Sequence, residues 1–281
     1  MYTLFTAIGL GVLGAALPLL FGASLTLTIL PGFFVAVIGF VWINRRVGKR
    51  VEALTKLADA ELANAQAVAG RSGAKAGSIM LRGIDGSISK LKGALVFANW
   101  QLGLKAMLNA RIGMMLYTKT VVLGQTNKKN AIPETLRDAV PYLEKAQVSG
   151  LKAKLLSALW PAWVMLALAH YRLKNEFTIV SQIFEKTVTN APKNGIVWSM
   201  YGWLLVQEKQ LDEAISVLAR GVSAAPDDPH LKENYNLVQN QKKPRMKAYG
   251  EQWYQFGMEQ PRVAAGPRTA HPRMKASGRR R

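Results

Sequence analysis

Three histidines, His170, His230 and His271, are the side chains best suited to hold a metal or relay a proton, and they are too dispersed for a motif such as His-Glu-x2-His. His170 stands beside Tyr171 in a helical pattern, the usual setting of a structural histidine whose ring nitrogens are satisfied locally. Cysteine is absent, which removes thiolate ligands, thiol nucleophiles and disulfides together. The chain has no Gly-x-Ser-x-Gly turn and no dinucleotide fingerprint. The stretch Gly70-Arg71-Ser72-Gly73-Ala74-Lys75-Ala76-Gly77 has glycines and lysine, but it lacks both the spacing of a phosphate loop and a preceding strand, so it reads as a turn. Carboxylates fall mostly at helix surfaces and turns, Asp212-Glu213 and Asp227-Asp228 among them. Nothing in this set argues for an enzyme, a cofactor or a bound metal.

Charge is the more distinctive chemistry. Thirty-seven Lys and Arg against seventeen Asp and Glu give the 281 residues a net charge of +20, which points to acidic or phosphate-bearing surroundings. One cluster is Arg45-Arg46-Val47-Gly48-Lys49-Arg50. A second is the last forty residues from Lys242, with eleven cations and two glutamates. Residues 262–281 within it are poor in large apolar groups and read as a disordered basic tail. Such a tail attaches by charge to anionic lipid headgroups or an acidic partner, with nucleic acid as the lesser alternative.

These clusters need elements to position them, and the first is plain. Residues 1–44 contain no Lys, Arg, Asp or Glu and are mostly apolar. At ~1.5 Å per residue, a single helix of that length would be roughly twice as long as a bilayer core is thick. A two-helix transmembrane hairpin is therefore expected, with spans of about 2–20 and 25–43 joined at Phe21-Gly22-Ala23-Ser24, and Pro31-Gly32 able to kink the second. A cleaved secretory leader would need a basic start and a shorter apolar run. Arg45, Arg46, Lys49 and Arg50 then form a membrane-surface cluster and place the rest of the chain in the cytoplasm. From Val51 to Val68 there is neither Pro nor Gly, so residues 45–69 should continue as a basic juxtamembrane helix.

Residues 70–241 carry an internal period of 34. Tyr171, Phe177, Val180, Phe184 and Pro192 are matched by Leu205, Leu211, Ala214, Leu218 and Pro226. The clearest units are 161–194 and 195–228; weaker ones are anchored by Gly113 with Ala139, Leu143 and Ala146, and by Ile84, Ile88, Leu91 and Ala94. The second clear unit reads Trp198-x2-Tyr201-Gly202-x2-Leu205, then Ala214-x3-Leu218, then Pro226-Asp227-Asp228. That pattern resembles the tetratricopeptide repeat, in which Gly on helix A and Ala on helix B let two helices approach while bulky groups fill the gap between them. Leu168 and Val180 replace those two small residues in the unit before it. The expected fold class is all-α: membrane hairpin, helical-hairpin solenoid, then basic tail.

The resemblance implies a concave groove lined by the A helices, here by Ala162, Met165, Ala169, Arg172 and Leu173, then Ile196, Ser199, Trp203, Val206 and Gln207. Met165, Arg172, Trp203 and Gln207 are the candidate partner contacts, with Trp203 as an anchor. The basic carboxylate clamp of chaperone-binding relatives is missing. The other tryptophans of the array, Trp160, Trp163 and Trp198, and Trp100 before it, read as interhelix packing, with Met107, Met114 and Met115 as gap fillers. Tyr249, Trp253 and Phe256 form one apolar stripe on a short helix within 242–261, expected to cap the exposed flank of the last repeat or to meet a partner. In layout the chain is similar to bacterial inner-membrane tetratricopeptide proteins, which implies a membrane-anchored, non-enzymatic adaptor for other proteins. A subunit of a larger membrane complex is the alternative, with Gly9, Gly11, Gly14, Ala15 and Ala16 permitting close packing against foreign helices, and a nucleic-acid tether through the tail is a third.

Overall fold

Long runs of helix formers, interrupted by Gly, Pro and short polar turns, leave helices as the only regular element among the described residues. The computed structural model describes residues 2–20, 25–126, 128–148 and 150–259; the expected turn at 21–24 and the tail at 262–281 lie outside them. The helices are α1 (Tyr2–Leu20), α2 (Leu25–Ala69), α3 (Ala76–Ala94), α4 (Leu104–Gln125), α5 (Ile132–Ala146), α6 (Leu151–Leu155), α7 (Trp160–Arg172), α8 (Phe177–Asn190), α9 (Gly195–Gln207), α10 (Leu211–Ala224), α11 (Pro229–Gln239) and α12 (Glu251–Tyr254).

α1 packs along the first half of α2 through a seam of small residues. A methyl group added at Gly11 would come within 2.7 Å of Ala36 Cβ, and one at Gly32 within 2.7 Å of the Gly11 carbonyl oxygen. Thr3, Ala7 and Gly11 lie buried at helical spacing on this seam, while Phe5, Ile8, Val12 and Leu13 point outward. Gly11, Gly14 and Ala15 are thus consumed inside the pair; Gly9 alone of the glycines expected to meet foreign helices faces open space. α2 runs through Pro31 without a break and continues for 45 residues, so the apolar segment and the first helix of the array are one rod. By length and composition, one described helix, within Ile29–Ala69, is long and apolar enough to cross a membrane, and Tyr2–Ala16 is a shorter apolar one.

The base of this pair is tied to the array. The Tyr2 amide donates to the Asn99 carbonyl at 3.0 Å, and the Thr3 hydroxyl to the Trp100 carbonyl at 2.5 Å. Gln101 Nε2 donates to the Asn44 carbonyl at 3.0 Å, and the Tyr2 and Trp100 rings meet edge to face at 5.8 Å.

Beyond the pair, consecutive helices pack as hairpins: the far half of α2 with α3, α4 with α5, α7 with α8, and α9 with α10. Small residues sit where the backbones meet. A methyl at Gly113 would stand 2.6 Å from Leu143, and one at Gly202 would stand 2.7 Å from Leu218. Ser87 donates to the Ala58 carbonyl across the first hairpin, a buried 2.7 Å bond. Between the two clear units, Phe184 stacks on Tyr201 at 5.2 Å and 8°. Trp163 and Trp198 are buried and donate to the Ala146 and Pro192 carbonyls, as packing residues do.

The 34-residue offset separates Phe177, where α8 begins, from Leu211, where α10 begins. α7, α9 and α11 end alike, on left-handed residues Lys174, Lys209 and Gln241, and the amide of the following residue reaches back to the last turn in each case. α11 is therefore a further A-type helix, with no B partner among the described residues. Asp228 caps it by accepting from the Leu231 amide at 2.9 Å, and Pro229 fills the position that needs no donor.

Candidate functional site

An A-type helix left unpaired at the end of an array exposes apolar surface, and the chain covers that surface itself. After α11 it turns back at Gln241, where φ is 56°, and residues 246–257 run across the A-helix side in reverse order. The Arg245 amide donates to Asn234 Oδ1 on α11 at 2.7 Å, and buried Met246 lies beside the same asparagine. Over α9, Tyr249 Oη and Ser199 Oγ share a 2.8 Å hydrogen bond, and the Trp253 ring meets Trp203 edge to face at 5.3 Å. Phe256 then packs against Trp160 of α7 at 6.2 Å. On α4, Tyr117 Oη donates to the Phe256 carbonyl at 2.8 Å, and the backbone at Gly257 leaves no room for a side chain against Val121.

The two residue sets expected to be separate, groove lining and capping aromatics, are therefore brought together. Trp253 and Phe256 are fully buried, and Tyr249 is partly so. Two expectations are corrected. The segment does not sit on the outer flank of the last repeat: it lies in the A-helix groove and reaches back as far as α4. Nor is it one helix, because a 3-10 turn over Met246–Tyr249 is separated from α12 by Gly250 at φ 58°, ψ −130°, a conformation open chiefly to glycine. That break aims Tyr249 and Trp253 at neighbouring positions of α9 and leaves Phe256 to reach α7.

The candidate partner residues fare differently. Met165 is buried in the core, and Trp203 is engaged by Trp253 of the segment. Arg172 donates to Thr120 Oγ1 at 3.0 Å, and its guanidinium lies 5.5 Å from the centre of the Tyr117 ring, which ties α7 to α4. Gln207 is exposed. Near Arg172, the ends of α7 and α9 leave a cleft of about 510 Å³ lined by Tyr171, Arg172, Lys174, Asn175, Phe177 and Glu208. Arg45, Arg46, Lys49 and Arg50 lie apart from all of these, exposed on α2 just past the base of the α1–α2 pair, with the Arg46 guanidinium 5.2 Å over the Trp42 ring.

Burial sets the electrostatics of the groove. It pushes the Tyr117 phenol up, against the opposing pull of Arg172. Tyr249 is likewise raised by burial, with the Ser199 hydrogen bond opposing and the Asp228 carboxylate, 3.3 Å from its oxygen, adding to it. Tyr201, below the groove, is pushed up to about 12, also mainly by burial. Burial thus favours the neutral form of each phenol. His170 is lowered by burial and bonded to Asn175 Nδ2 at 2.7 Å, while His230 packs against Tyr249 at 5.1 Å; both are structural placements. No group of three or more metal-ligating side chains exists among the described residues.

Sequence reasoning missed Tyr117, Thr120 and Asp228 as parts of this site. For Asp228 a signal existed, since Pro-Asp-Asp-Pro marks a helix start; for Tyr117 none did, because its partner is 139 residues away.

Residues 181–233, which span most of α8, all of α9 and α10 and the start of α11, match the tetratricopeptide repeat family model. Residues 181–233 thus carry tetratricopeptide repeats, and repeats of this family are protein-interaction modules, typically non-catalytic. It matches no curated protein and no solved structure.

Proposed function

We propose that the protein is a membrane-anchored, non-catalytic scaffold: α1 and the first half of α2 cross the bilayer, and the repeat array holds other proteins at the basic, cytoplasmic face. The observation that supports this reading is the outward face of the α1–α2 pair. Phe5, Val12, Leu13, Leu30, Phe33 and Ile38 are each about three-fifths exposed or more, with no charged residue anywhere in the first 44. A surface of that kind needs hydrocarbon or another apolar partner. The 19 residues of α1 would span ~28 Å, close to the ~30 Å core of a bilayer. Tyr2, Trp42 and Trp100 gather at its base beside Arg45, Arg46, Lys49 and Arg50, the order expected at a membrane–water boundary with anionic headgroups.

Protein partners take the part of the groove that residues 246–257 leave open, the cleft carrying Arg172 with Gln207 exposed on the neighbouring α9. Two measurements test the reading. Alkaline carbonate should leave the full chain in the pellet, and release into the supernatant would end the membrane assignment. Because the chain has no cysteine, Gln207→Cys gives a unique thiol. It should react with an impermeant maleimide in inverted vesicles and not in intact cells. A photo-crosslinker at Gln207 should capture protein, whereas one at Met165 should not.

A further inference from the structure

α6 is built inside out. In Leu151-Lys152-Ala153-Lys154-Leu155 the alanine is fully buried, while Leu151 is 74% and Leu155 is 67% exposed, one turn apart on the same face. A surface helix of a water-soluble array normally places its leucines inward. The position of α6 accounts for the inversion. Leu156, just after it, lies against Gly103, and Lys152 lines a cleft of about 420 Å³ together with Tyr2, Leu102 and Lys105. Tyr2 begins α1, and Leu102, 62% exposed, follows the Asn99-Trp100-Gln101 segment that hydrogen-bonds the base of the α1–α2 pair. The exposed leucines and their lysines therefore stand at the level where the apolar pair ends and the array begins.

We propose that Leu102, Leu151 and Leu155, fringed by Lys105, Lys152 and Lys154, form a second membrane contact that lies in the headgroup region of the leaflet from which α1 and α2 descend. This rests on the membrane reading above. The leucines insert to the depth of the acyl boundary, and the lysine stems run along them so that the ammonium groups reach lipid phosphates. Leu102 and Lys152 share a cleft with Tyr2 at the base of the pair, and the face carries cations, so a bilayer surface fits it better than a soluble partner would. With α2 as one support and α6 as another, the array lies against the membrane at a set angle.

The test uses the full chain in vesicles of phosphatidylcholine and phosphatidylglycerol, with single cysteines carrying an environment-sensitive fluorophore and with spin-labelled lipid as quencher. Phe33→Cys reports the hairpin, Leu155→Cys the proposed contact, and Ile179→Cys, exposed on α8, the array. Leu155→Cys should be quenched at least about twofold more than Ile179→Cys, and Leu102→Cys should lose its quenching when Leu151 and Leu155 are both changed to Glu. Quenching at Phe33→Cys with none at Leu155→Cys would overturn the proposal while leaving the membrane reading intact. No quenching at either position would remove both. Cross-linking of Leu155→Cys to a second protein in place of quenching would assign the face to that protein and overturn the lipid contact.

Discussion

The α1–α2 pair and the α9–α10 pair are the same construction, two antiparallel helices meeting at glycine, with opposite surfaces. In the first, Gly11, Gly32 and Ala36 make the seam and the bulky residues face out. In the second, Gly202 and Ala214 let the helices meet, while Tyr201, Leu205 and Leu218 are buried between them and their neighbours, and carboxylates such as Asp212 and Glu213 stay on the surface. The difference teaches that close backbone approach is common to both, and that the medium outside decides where the large side chains go. Water drives them inward in the array, whereas the hydrocarbon proposed around the pair would offer them as good a place outside it as within it.

The sharpest way to break this comparison is to truncate matched aromatics. Trp253→Ala or Phe256→Ala should destabilise the array by about 3–5 kcal/mol in a denaturant titration in detergent, because each is fully buried on the A helices. Phe33→Ala on the outer face of the hairpin should leave that transition in place. A loss below about 1 kcal/mol for Trp253→Ala would make the segment a loose strap rather than part of the core.

Alkaline pH separates the regions next. The folded array raises Tyr117, Tyr201 and Tyr249, so it holds their protons more tightly than the unfolded chain, whose phenols titrate near ~10. The stability from each is fully present below pH ~10 and falls by up to about tenfold in the folding constant per pH unit above it. For Tyr201 the decline ends near about 12. Circular dichroism against pH checks this, and Tyr201→Phe should flatten the decline.

Gly11→Leu should weaken packing between α1 and α2 by about 1–3 kcal/mol, whereas Gly9→Leu, which meets open space, should be silent. Equal effects would mean that the small-residue seam is not what joins the pair. A disulfide-formation assay between cysteines placed across the seam reads the difference. Asp228→Ala removes both the cap of α11 and the carboxylate beside Tyr249, and about 1–2 kcal/mol of array stability should go with it. Smallest is Lys209→Gly, which relieves a left-handed residue at the end of α9 and should add about 0.5–1 kcal/mol.

Patterning alone determined a good deal. Forty-four residues without charge followed by four cations in six specify an apolar pair with a basic edge, because hydropathy and charge are properties of composition and need no partner. The period of 34, with Gly202 opposite the Ala214 and Leu218 helix, specifies repeated helical hairpins, because contacts within a repeat are short in sequence and set by helical spacing. The tertiary structure decided what covers the groove. Tyr249, Trp253 and Phe256 are legible as an apolar stripe, yet their destination depends on Gly250 turning the backbone and on α11, α9, α7 and α4 presenting Asn234, Ser199, Trp160 and Tyr117 in a row. Those groups converge only after the array has stacked, and no local propensity encodes an encounter between residues that far apart in the chain.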